Sequence, residues 1–165
     1  MTASFEKKLM LAGFAGAFVV ELLAYVISSP LMSFLHLICM LAAAAGFGMK
    51  WMGGREMIDL AIAGALGLGV LNAFARNAFL GMFGPELYAT FSLIFAAIGI
   101  LYLLIWAFKF KDKNLLVTVL LLAATMGSLF GLPLIYRLNL PRFFSFVLDM
   151  AICAIPVVAA YFEED

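Results

Sequence analysis

Charge is what this chain has least of. Its 165 residues include 10 lysines and arginines and 10 aspartates and glutamates, 12% in all. So few polar side chains cannot coat a soluble domain of this size. Histidine occurs once and cysteine twice. A single histidine excludes haem held between two histidines of this chain, and it excludes a His-Glu-x-x-His zinc site. Cys39 and Cys153 both sit inside apolar runs and form no Cys-x-x-Cys pair. Two such cysteines are not the disulfide framework of a small secreted domain. No phosphate loop or dinucleotide fingerprint is present, since Gly64, Gly67 and Gly69 match neither spacing. No basic aromatic surface exists to bind nucleic acid. No nucleophile-elbow motif surrounds any serine, which leaves little basis for a hydrolase.

Apolar residues make up 67% of the chain, and its mean hydropathy is +1.15. They form six segments of near-spanning length, at about 9–28, 31–49, 58–80, 87–108, 115–135 and 143–162. Each approaches the ~20 residues that carry a helix across a bilayer core. The expected fold is an all-α polytopic membrane protein, a single domain over 1–165 built as a compact bundle of six transmembrane helices. The first segment exceeds the ~7–15 residues of a signal-peptide core, and it is read as a retained helix.

The connections alternate in chemistry. The N-terminal segment, the stretch from Lys50 to Glu56 and the run Lys109 to Lys113 hold every lysine plus Arg55. The other three connections each carry a proline, Pro30, Pro85 or Pro141, with only Arg76, Arg137 and Arg142 in or near them. Seven basic residues against three place both termini in the cytoplasm by the positive-inside rule. The expected setting is a cytoplasmic membrane, bacterial or archaeal.

One hairpin stands out. Glu21 lies eight residues before Ser29 and His36 seven after it, on either side of the Ser28-Ser29-Pro30 turn. In antiparallel helices the two groups reach matching depth, roughly 10 Å from the turn. An ionisable residue at such depth is a functional-site hypothesis by default. The same layer of the outer half receives Asn72 and Arg76 from the third segment and Asp149 from the sixth. Glu21, Tyr25 and Ser28 share one helical face, as do Ser33, His36 and Cys39, and Ser145, Asp149 and Cys153. Leaving these groups against hydrocarbon costs several kcal/mol each, so a polar network or cavity is expected there. Glu21, His36, Asn72, Arg76 and Asp149 are the candidate ligand-binding residues. Glu21 and Asp149 suit a cation or proton, and Arg76 an anion. The competing reading is a self-satisfied network, with Glu21 on His36 and Asp149 on Arg76.

His36, Cys39 and Cys153 are weak metal candidates, and no metal or other cofactor is expected. Pro156 frees a carbonyl of the sixth helix and marks a kink or gate. Small residues every four positions (Ala12 and Gly16; Ala61, Ala65, Gly69 and Ala73; Ala123, Gly127 and Gly131) suit close helix packing in lipid.

The sequence points to a solute-binding or transport component whose partners are the bilayer and a small polar or charged solute. A second reading is an accessory or assembly subunit that docks other membrane subunits through its small-residue faces. A third is a metal- or lipid-dependent membrane enzyme. An enzyme is the less favoured class.

Overall fold

A computed structural model describes the backbone of residues 4–79 and 85–163; side chains at 75–79, 85–93, 95 and 96 lie outside that description. Within these residues the chain is all-helical. Six rods run in order: α1 (Phe5–Ala24), α2 (Pro30–Gly54), α3 (Met57–Phe79), α4 (Pro85–Phe110), α5 (Leu115–Arg137) and α6 (Arg142–Phe162). Pro30–Gly54, Met57–Phe74, Leu115–Arg137 and Arg142–Phe162 are each long and apolar enough to cross a membrane. Every rod packs on its chain neighbour, and α6 returns to α1, so the bundle closes into a ring.

Local chemistry sets the ends. Ser4 accepts a hydrogen bond from the Lys7 amide at 3.3 Å and starts α1 four residues before the hydropathy pattern does. Its other end comes early, at Ala24, because Ser29 is already the extended cap of α2, with Pro30 in the first turn. In turn α2 overruns its expected end at residue 49 and reaches Gly54, so Lys50 and Trp51 are helical. Arg55, with φ 57°, takes the left-handed position that closes it. Only Arg55 and Glu56 then separate α2 from α3.

A widened turn interrupts α5. Residues Gly127–Gly131 are π-helical, and the Leu132 amide donates to the Gly127 carbonyl. Pro133 follows at once, and its ring has no amide to donate and would clash with the carbonyl four residues back. The wide turn accommodates that defect. Gly127 and Gly131 meet Leu148 and Ile152 of α6 there.

Packing is one-sided along the bundle axis. The buried apolar residues include Met10, Phe14, Ala43, Phe47, Ile62, Leu66, Tyr102, Trp106, Leu121 and Ala160. They lie at or beyond the helix midpoints toward the end that carries Ser4 and Glu163, called here the lysine end. Phe14, Phe47 and Trp106 form its centre, with ring centroids 5.2 Å (Phe14–Trp106) and 5.0 Å (Phe47–Trp106) apart. At the opposite end, which carries the Ser29-Pro30 turn and is called here the loose end, no described residue from Phe18 to Ala42 is buried.

The small residues sort by position. On α1 the close approach belongs to Gly13, with Gly16 against the Cys39 sulfur of α2, whereas Ala12 is exposed. On α3 Ala65 is buried but Ala61 is exposed, and nothing described lies within 4 Å of a Cβ added at Gly64, Gly67 or Gly69.

Candidate functional sites at the two ends of the bundle

The loose end holds a cavity of about 270 Å³. Its walls are Glu21 and Ala24 of α1, Met32, Ser33, His36 and Leu37 of α2, and Ala73 of α3. The antiparallel α1–α2 hairpin brings Glu21 and His36 together as the spacing predicts. His36 Nδ1 lies 3.4 Å from Glu21 Oε2, within ion-pair range but without hydrogen-bond alignment. That nitrogen is buried and has no hydrogen bond among the described residues. Both side chains are about one-third exposed, at 28% and 34%, so the pair faces the cavity rather than the core.

Asp149 belongs to the same end but has a different partner. The Tyr25 hydroxyl donates to Asp149 Oδ2 at 2.5 Å, and the Tyr25 ring packs edge-on against Phe146 at 4.7 Å. The bond ties Tyr25, the residue that follows α1, to α6. The self-satisfied network expected as the alternative pairs Asp149 with Arg76, whose side chain lies outside the described residues. Asn72 is half-buried on α3 next to the lining residue Ala73. Cys39 and Cys153 are free thiols, half-buried on α2 and α6. Among the described residues no three of His, Cys, Asp and Glu gather as a metal-ligand set. Pro156 is buried inside α6.

The lysine end holds a second polar cluster, buried far more deeply. Lys109 Nζ of α4 donates to Asp59 Oδ1 of α3 at 2.5 Å and to Glu163 Oε1, the residue after α6. Lys50 Nζ of α2 reaches the same Glu163 oxygen at 3.1 Å. Trp106 Nε1 of α4 donates to the other oxygen, Oε2, at 2.8 Å. The side chains of Asp59, Glu163 and Lys109 are only 1%, 2% and 6% exposed. Among the described residues, two acids and two ammoniums of this cluster bind four helix ends together.

The depth and face comparison made from the sequence assigns none of these four residues to a site. A signal was there. Each charge continues the buried stripe of its own helix at a spacing of three or four residues: Lys50 after Phe47, Asp59 before Ile62, Lys109 after Trp106, and Glu163 after Ala159 and Ala160.

Burial pushes the Glu163 carboxyl up, but the Lys109 ammonium, the bonds from Lys109 and Trp106, and Lys50 more than offset this. The group is held below its ordinary carboxylate range. An acid depressed in the folded state stabilises the fold above its unfolded pKa, about 4.3. That stabilisation is lost as pH falls through the lower folded value. The expected result is a wild-type melting temperature that drops below about pH 4.3 more steeply than that of E163Q. Parallel acid limbs in the two proteins, followed by thermal melting in detergent, would contradict it.

No protein family, no curated protein and no solved structure matches this chain.

Proposed function

We propose that the chain is a small integral membrane component that binds, or moves, a small polar or charged solute at the loose end of the bundle. In this reading all six rods span the bilayer. The lysine end, with both termini, faces the cytoplasm of a bacterial or archaeal cell, and the cavity opens outward. The observation that carries the reading is the cavity itself. It is somewhat smaller than the roughly 300–1,000 Å³ of drug-sized sites, and it places a carboxylate, a hydroxyl and an imidazole on otherwise apolar walls. Glu21 takes a cationic or hydrogen-bond-donating group, and Ser33 and His36 orient it.

A thermal-shift screen of the purified protein against small amines, amino acids, carboxylates and inorganic ions tests the reading. A solute at about 100 times its dissociation constant adds roughly 2.7 kcal/mol of stability. E21Q is expected to melt near the wild-type temperature without solute and to lose the solute-dependent gain. If no solute class stabilises the wild type, or E21Q responds as the wild type does, the cavity is not a binding site.

One observation favours a second reading, as an accessory subunit. Gly64 and Gly67 of α3, three residues apart on one helical face, meet nothing described within 4 Å of an added Cβ, a surface that another membrane helix could approach closely. Reproducible co-purification with one partner supports that reading; a monodisperse protein on its own counts against it.

A further inference from the structure

The two ends of the bundle differ in a way that binding alone does not require. One end is open around Glu21 and His36. The other is shut twice over, first by the Phe14–Phe47–Trp106 ring cluster and then by the ionic junction of Lys50, Asp59, Lys109 and Glu163. Trp106 belongs to both layers, because its ring fills the centre and its Nε1 holds Glu163.

We propose that the Lys109–Glu163 junction is a gate, which keeps the lysine end closed while the cavity end is open and whose release reverses the two. The inference rests on the solute-transport reading above.

Three features support a gate over permanent glue. Buried ion pairs seldom stabilise a fold more than apolar packing of the same volume, so stability alone gives little reason to bury the charges of Asp59, Lys109 and Glu163. A cluster of opposite charges instead has discrete made and broken arrangements, as a two-state element needs. Its members also come from separate elements. Glu163 is the first non-helical residue after α6, with φ −63° and ψ 134°, and it is drawn inward by its side chain. Losing that hold frees the end of α6 from α2, α3 and α4 together. The same helix carries Asp149, which Tyr25 binds at the other end, and Pro156 lies between the two. A proline inside a helix is a point at which its two halves can change angle. Tilting α6 about Pro156 would open the lysine end and draw the Asp149 half, with Tyr25, over the cavity, a rocking motion about a central site.

The test reads both ends at once and needs no solute. In a C39A/C153A background, S33C reports the cavity by its reaction rate with a membrane-impermeant maleimide. W51F leaves Trp106 as the one tryptophan, which reports the lysine end by acrylamide quenching. E163Q removes one acid and leaves the Lys109–Asp59 pair, so the bundle is expected to hold together. Breaking a buried pair shifts a two-state equilibrium by roughly tenfold or more. Trp106 quenching should therefore rise, and labelling at position 33 should fall, by up to that factor where the shift is large enough to make the cavity-open state the minor one. K50M removes the most exposed member of the junction and should shift both readouts the same way, which covers the case in which E163Q does not fold. If quenching rises while labelling at position 33 stays the same or increases, the junction is structural glue. If neither readout moves in either variant, the junction does not gate the bundle. Failure of the solute screen would leave both readouts intact, so the two proposals fail separately.

Discussion

Replacing Lys109 with methionine is expected to cost about 3–5 kcal/mol, the penalty for leaving a buried charge without its partner. That is a large share of the roughly 5–15 kcal/mol that holds a typical protein folded. Among the described residues Lys109 is the ammonium that bonds both acids, so K109M leaves Asp59 without its described ammonium partner and Glu163 with Lys50 and the Trp106 indole. Methionine fills a similar volume, so the loss reports charge rather than packing. The measurement is unfolding in mild detergent, followed by circular dichroism or Trp106 fluorescence. Removing the stranded charges as well, in D59N/K109M/E163Q, should recover most of the loss, because a buried ion cluster replaced as a whole is often no less stable. Lys50 tolerates that change, since its side chain is 19% exposed and reaches water along its stem. A triple variant no more stable than K109M would show that the junction's geometry, and not its charge balance, holds the four helix ends.

The second large effect lies at the closest approach of α1 and α2. A Cβ on Gly13 would stand 2.6 Å from the Ala43 amide nitrogen, 2.7 Å from the Cys39 carbonyl oxygen and 2.9 Å from the Ala43 Cα. All three are backbone atoms and cannot rotate away. The helices must separate, so G13A is expected to destabilise by about 1–3 kcal/mol, and G13L by more. The matched control is G64A, whose added methyl meets no described atom within 4 Å. It should be neutral, or stabilising by about 0.5–1 kcal/mol through reduced backbone entropy. The strain also reaches the cavity. Glu21 stands eight residues along α1 from Gly13, about 12 Å, so prying the hairpin apart there stretches the Glu21–His36 approach. G13A should therefore weaken solute stabilisation as well as the fold, whereas G64A should leave both unchanged. Equal melting temperatures for the two variants would refute the contact.

These expectations differ in how far the sequence alone could supply them. The Glu21–His36 pair was legible because it is local: a turn with a capping serine and a proline fixes an antiparallel hairpin, and spacings of eight and seven residues from that turn fix matching depth. The small residues were legible as a class but not by position. A four-residue spacing marks a face without saying what opposes it, so Ala12 read as an interface residue when the neighbouring face, with Gly13, makes the contact. The partner of Asp149 was illegible for the same reason, since Tyr25 lies 124 residues away and meets it only because α6 closes the ring on α1. The widened turn of α5 had a local cause in Pro133, which hydropathy passes over because it weighs apolar character and not missing amides.

The sequence by itself determined that the chain is helical and apolar, where its helices turn, that basic residues gather at one end, and that Glu21 and His36 sit at one depth. Each follows from bonds and spacings within a few residues, or from a composition that cannot face water. Only the tertiary structure decided which charges are buried. Lys50, Asp59, Lys109 and Glu163 read one at a time as ordinary helix-end charges. They become a junction when ring closure sets the ends of α2, α3, α4 and α6 side by side over Trp106. Four distant segments must converge before any of those charges has a partner, and no local pattern encodes that convergence.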